Sequence, residues 1–236
     1  MFPFRTTVSA NASPVVTMSL IVVNIGVYFL QLGLAPRAAR EFIMSYALIP
    51  AVYGHPAVAR AYGLDPTNFL PVISNTFMHG DALHLIVNMW TLWLFGLPVE
   101  DRLGPWRFLL FYLVCGVAGS VAHLAFNLDS AVPVLGASGA IAGLLGGFAL
   151  MHPRAKVAVI QPIFFVFPLV FHLPALVFTG IWFAFQILGG WTTFGGGAAG
   201  GGIAWWAHIG GFVAGLAIAL WLTRPPRHRG PWSRTR

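Results

Sequence analysis

Charge is what this chain of 236 residues has least of: 8% of its positions are Asp, Glu, Lys or Arg, and only six are acids. A soluble domain carries about 25%, so a water-soluble enzyme is excluded. With 58% apolar and 14% aromatic residues, so is a disordered chain, which needs low hydrophobicity. The lone cysteine, Cys115, rules out an intramolecular disulfide and leaves the redox compartment open. Glycine and proline, though plentiful, show no collagen-like period, and no internal repeat supports an inverted-repeat transporter. What is left is a polytopic membrane protein with little mass outside the bilayer.

Long apolar runs fill most of the chain. A span needs roughly 20 such residues, which predicts helices over Val15–Leu34, Phe77–Leu97, Trp106–Phe126, Pro133–Met151 and Ile203–Leu222. The first reads as an uncleaved signal anchor. The uncharged stretch Val157–Leu188 can be read as one span with an apolar lead-in or as two. Pro162 and Pro168, among β-branched and aromatic residues, speak against a helix in its first half. Pro174 stands where a helix over Pro174–Leu188 would begin. Lys and Arg decide between the readings. Six spans put Arg5, Arg102, Arg107, Arg154, Lys156 and the five tail arginines on one side, and Arg37, Arg40 and Arg60 on the other. Seven spans would move the tail and reverse the bias. The positive-inside rule therefore predicts six, with both termini cytoplasmic. The expected division is a cytoplasmic segment 1–14, a membrane domain 15–222 and a basic tail 223–236. That tail, with no acid in it, is expected on anionic lipid and not on nucleic acid. The connection 35–76, rich in proline, is apolar enough to lie in the interface. The connection 189–202 is glycine-rich and uncharged.

Polar side chains inside spans are functional candidates by default. His84 and Asn88, four residues apart, share a face near the outer end of the second span. Ser138 and His208 each lie some five residues into their spans, roughly 8 Å below the outer surface. Spans two, four and six all enter from that side, so topology sets the four groups at one level. Each also has an ordinary explanation. A lone Ser in a span usually bonds back to its own helix, a lone His at a span end is usually interfacial, and a His/Asn pair can glue helices together. Their company argues for more. Ser138 sits in Gly136-Ala137-Ser138-Gly139, followed by Gly143, Gly146 and Gly147, and His208 is followed by Gly211 and Gly215. Small residues at this spacing let helix backbones approach closely.

In these residues the chain resembles the rhomboid family of intramembrane serine proteases. The matching elements are Gly136-Ala137-Ser138-Gly139, Ala207-His208 with Gly211 and Gly215, and His84-Leu85-Ile86-Val87-Asn88. His79 and Glu100-Asp101-Arg102-Leu103-Gly104 also fit the pattern, and the match reaches from Phe77 to Leu222. The resemblance implies an all-α membrane bundle of six transmembrane helices and a serine endopeptidase. Ser138 would be the nucleophile and His208 its base; Asn88, His84 and the Ser138 N–H would be oxyanion donors; Gly136 and Ala137 would line the substrate site. It implies no cofactor, membrane-anchored and single-pass protein substrates, and here a bacterial plasma membrane. Two features depart from the pattern. Some members carry an aromatic residue four positions after the serine, where this chain has Ala142, leaving Trp205 or Trp206 to take its place. Some bacterial members also have a Trp-Arg pair in the first outer loop, which this chain lacks.

The chemistry agrees with a dyad. A serine hydroxyl is a poor nucleophile until a base takes its proton, and a neutral His208 can do so. The six acids, Glu41, Asp65, Asp81, Glu100, Asp101 and Asp129, all fall in loops or at span ends, so no carboxylate offers itself as a third member. The connection 189–202 is a candidate movable lid. His55, His123, His152, His172 and His228 read as interfacial or loop residues. A metal site is not expected: there is no His-Glu-x-x-His and no cysteine cluster. The alternative from another class is a non-catalytic rhomboid-like binder of transmembrane clients. A small channel is less well supported, because the inner halves of the spans look dry.

Overall fold

The computed structural model describes residues 1–10, 13–163, 167–193 and 203–223. A short strand, β1 (Phe2–Thr6), precedes the long helix α1 (Val15–Gly33). The connection expected to lie in the interface folds into four short helices, α2 (Pro36–Tyr46), α3 (Pro50–Gly54), α4 (Pro56–Tyr62) and α5 (Pro71–Ser74), and a 3-10 turn over Asn75–Phe77. All four helices begin on proline, whose missing N–H is no loss at a first helical position. The long helices α6 (Ala82–Leu103) and α7 (Pro105–Phe126) follow, then the shorter α8 (Ser138–Met151). A hairpin of β2 (Lys156–Ile163) and β3 (Phe167–Pro174) leads into α9 (Ala175–Thr193), and α10 (Trp205–Leu222) ends the described chain. Five of these helices are long and apolar enough to cross a membrane, and α8 is a shorter apolar helix. The expected bundle is thus present. The tail from 224 onward, and residues 194–202 of the glycine-rich connection, lie outside the described residues.

The centre of the bundle is α8, buried throughout from Gly139 to Ala149 and enclosed by α6, α7, α9 and α10. Its glycines make this possible. A Cβ on Gly211 would collide with the Gly139 carbonyl oxygen, and one on Gly215 with that of Gly143. A Cβ on Gly146 would lie 2.8 Å from the Phe212 carbonyl oxygen. Helices α8 and α10 therefore cross at backbone contact, as the small-residue spacing predicts. Leu92, Phe95, Phe108, Tyr112, Leu144 and Phe148 fill the remaining volume.

Within segment 1–14, β1 pairs antiparallel with β2, from Phe2↔Ile160 to Thr6↔Val157, with a bulge between Pro3 and Arg5. β2 pairs in turn with β3, from Lys156↔Pro174 to Ile163↔Phe167, so Pro174 closes a strand instead of opening a helix. The apolar lead-in is a β-hairpin, whose prolines and β-branched residues suit a strand better than a helix. Glu100 is at a span end as expected, in the last turn of α6. It is nevertheless buried, 4% exposed, and caps α1: Val16 N–H donates to Oε1 at 2.8 Å, and Thr17 N–H and O–H donate to Oε2 at 2.7 Å each. A carboxylate there answers the partnerless N–H groups of the first turn of α1.

The β1–β2 pairing also fixes parity. Four apolar helices, α1, α6, α7 and α8, separate the two strands, an even number, as the six-span reading requires. Among the described residues, 156–174 hold strands and no helix.

Candidate active site

Ser138 is the first residue of α8, not five residues into a span. The preceding loop turns sharply at Gly136, whose φ of +131° suits glycine alone. His208 is the fourth residue of α10. Because α8 and α10 touch through their glycines, the two side chains meet: Ser138 Oγ lies 2.8 Å from His208 Nε2. The expected back-bonding of an isolated serine is thus replaced by a bond between helices. A hydroxyl beside an imidazole nitrogen at this distance can pass its proton to that base.

The other ring nitrogen is also engaged. His208 Nδ1 lies 2.8 Å from Oε1 of Gln186 on α9, a residue the sequence reading passed over because it sought a carboxylate. Gln186 is buried, and its Nε2–H donates to the Trp182 carbonyl one turn earlier, at 3.2 Å. The Trp182 ring stands 5.9 Å from the His208 ring at 39°, and Trp205 meets it edge-on at 6.5 Å. Ala142 is buried in the core, and these tryptophans support the imidazole instead. Trp206 does not join them, since it stacks on Phe126 at 3.9 Å.

His84 and Asn88 come to the same place. Asp81 caps α6 by accepting the His84 N–H at 2.8 Å, which sets the first turn. A Cβ on Gly136 would lie 2.7 Å from His84 Cε1, 2.8 Å from its Nε2 and 3.7 Å from Asn88 Nδ2. Both side chains therefore press on the backbone just before Ala137 and Ser138. Asn88 is 6% exposed, and its Nδ2 has no protein partner among the described residues. A buried amide donor without an acceptor is costly, and it is what an anion forming in this hollow would meet. The Ser138 N–H, on the first residue of its helix, belongs to a turn whose donors lack intrahelical partners.

His79 backs this arrangement. Its ring contacts that of His84 edge-to-face at 5.1 Å. Burial, with the neighbouring His84 second, pushes its pKa down to about 4, so it packs as a neutral ring. His123, expected at an interface, is buried in α7. His152 bonds the Pro98 carbonyl at 3.2 Å, and His55 pairs with Asp129 at 2.7 Å. Among the described residues, no three His, Cys, Asp or Glu side chains are grouped to hold a metal ion.

Comparison with known proteins gives the family. The model of the rhomboid domain matches residues 66–225. Rhomboid protein 1, mitochondrial, of Saccharomyces cerevisiae is 30% identical over 210 residues, which cover 87% of this chain and 53% of that protein. Presenilin-associated rhomboid-like protein A, mitochondrial, of Danio rerio is 33% identical over 96 residues, covering 40% of this chain and 25% of that protein. Rhomboid protease GluP of Bacillus subtilis is 46% identical over 69 residues, or 29% of this chain and 13% of that protein. The chain thus spans about half the length of the yeast relative and less of the others. The matched region runs through α6, α8 and α10, the three helices that carry His84, Asn88, Ser138 and His208, and on this ground the chain belongs to the rhomboid family.

Proposed function

We propose that this protein is an intramembrane serine endopeptidase that cuts membrane-anchored, single-pass proteins near the outer membrane face. The observation that carries the reading is the 2.8 Å approach of Ser138 Oγ to His208 Nε2, beside the unpartnered Asn88 Nδ2. His208 takes the hydroxyl proton as Oγ attacks the scissile carbonyl carbon. The carbonyl oxygen gains negative charge and is met by Asn88 Nδ2–H, the His84 ring and the Ser138 N–H. The imidazolium then protonates the leaving amine, and the peptide C–N bond breaks to leave an acyl-enzyme on Ser138. Water, deprotonated by the same base, releases the acid and restores the hydroxyl. Gly136 and Ala137, having no bulk, let the substrate backbone lie against this loop.

Shallow depth supplies the water. The 14 residues of α8 rise about 21 Å, roughly 9 Å less than a 30 Å hydrocarbon core. If the far end of α8 reaches the inner boundary, Ser138 lies at the floor of a recess open to the outer side. Both termini then lie on the side where Lys and Arg gather.

Detergent-purified protein incubated with a fluorophosphonate probe tests the reading. Wild type is expected to be labelled covalently and Ser138→Ala not at all. No labelling of wild type at any pH would favour the non-catalytic binder.

A further inference from the structure

We propose that Gln186 is the positioning residue of His208, a neutral third member that selects the tautomer able to serve as base. The inference rests on the dyad reading for its catalytic meaning but not for its geometry. An amide has one accepting and one donating end, and which way it faces is decided by its partners. Here one end faces the Trp182 carbonyl oxygen at 3.2 Å. A carbonyl only accepts, so that end must be the NH2. The other end, Oε1, is thereby turned to His208 Nδ1 at 2.8 Å. An amide oxygen also only accepts, so Nδ1 must carry the proton. Neutral imidazole has one N–H, which leaves Nε2 bare and 2.8 Å from Ser138 Oγ. The chain of polarity runs in one direction: Ser138 O–H to Nε2, Nδ1–H to Oε1, and the Gln186 NH2 to the Trp182 carbonyl.

This arrangement does what a carboxylate does for the histidine of a soluble serine protease, fixing tautomer and ring orientation. It does so without placing a second ionised group inside a span, where charge is expensive. The Trp182 and Trp205 rings flank the imidazole, so Oε1 and Oγ hold its two edges while aromatic rings hold its sides.

Two readouts test the proposal. The first is the 15N spectrum of the full-length protein in detergent with labelled histidine, His208 being assigned by its loss in His208→Ala. Wild type should show a protonated Nδ1 and a bare Nε2. Gln186→Met, which keeps length and loses the acceptor, should give a mixture of tautomers. The second is the rate of fluorophosphonate labelling. Gln186→Met should slow it by about 10- to 100-fold, the loss known when the hydrogen-bond partner of a metal-bound histidine is removed. Gln186→Glu should recover most of it, since a carboxyl in either protonation state keeps an oxygen toward Nδ1. If Gln186→Met is not recovered folded, Gln186→Asn, one methylene short, replaces it. A wild-type His208 protonated at Nε2, or a Gln186→Met protein labelled as fast as wild type, overturns the proposal. A wild type with the expected tautomer but no labelling upholds the positioning claim and ends the protease reading instead.

Discussion

Ser138, His208, Asn88 and His84 come from three helices and can be exchanged one at a time, so their contributions can be separated. His208→Ala should abolish fluorophosphonate labelling as Ser138→Ala does, with membrane insertion intact by protease protection. On the proposed mechanism Asn88→Ala removes one oxyanion donor of three and should lower the cleavage rate less completely, by about 3 kcal/mol or on the order of a hundredfold. Loss of all activity in Asn88→Ala would mean that the amide does more than meet the oxyanion. His79 makes a separate prediction about stability. Its pKa is about 4 when folded, against an ordinary value of 6.5. Between those values the unfolded chain binds the extra proton and the folded one does not. Stability from this group is therefore complete above about pH 6.5 and declines as pH falls toward about 4. The thermal midpoint should drop between about pH 7 and about pH 5, and His79→Phe should flatten that slope. Parallel curves for the two proteins would reject the assignment. At this scale the sequence was informative but incomplete. Ser138 and His208 were legible because each is a polar residue set among glycines in an apolar run. Gln186 was not, because its role depends on which way α9 turns one amide, and composition does not encode that.

The α8–α10 crossing is what converts two separate side chains into a dyad. Gly211 meets the Gly139 carbonyl and Gly215 meets that of Gly143, so any side chain at these positions wedges the helices apart just beyond the site. Gly211→Ala should lower the thermal midpoint and slow labelling of Ser138 together, although neither Ser138 nor His208 is changed. Gly26→Ala is the contrasting variant. Gly26 lies in α1 with nothing within 4 Å of the added Cβ, so helix propensity alone acts, worth up to about 1 kcal/mol in favour of alanine. Equal responses of the two variants would mean that close packing at the crossing is not limiting. The glycine spacing made this crossing readable in advance. Helix ends were less so: hydropathy began the fourth span at Pro133, yet α8 starts at Ser138, because Gly136 in its left-handed turn breaks the helix regardless of how apolar the residues before it are.

At the scale of the whole molecule, the N-terminal strand and the α8–α9 connection are tied together, since β1, β2 and β3 form one sheet. Phe2→Cys paired with Ile160→Cys, facing each other across β1 and β2, should form a disulfide on mild oxidation in native membranes. The native Cys115 is buried and should not compete. Failure of this crosslink, with each single variant folded, would contradict the common side assigned to segment 1–10 and the α8–α9 connection. The long apolar helices, the glycine spacing of α8 and α10 and the candidacy of Ser138, His208, His84 and Asn88 were determined by the sequence alone, because hydropathy and residue spacing are properties of the local chain. Only the tertiary structure decided the sheet, the Glu100 cap on α1, the tryptophans around His208 and the Gln186 contact. Each of these joins residues far apart in the chain through the direction of a side chain or the edge of a strand, and that direction is set by packing against neighbours, not by local pattern.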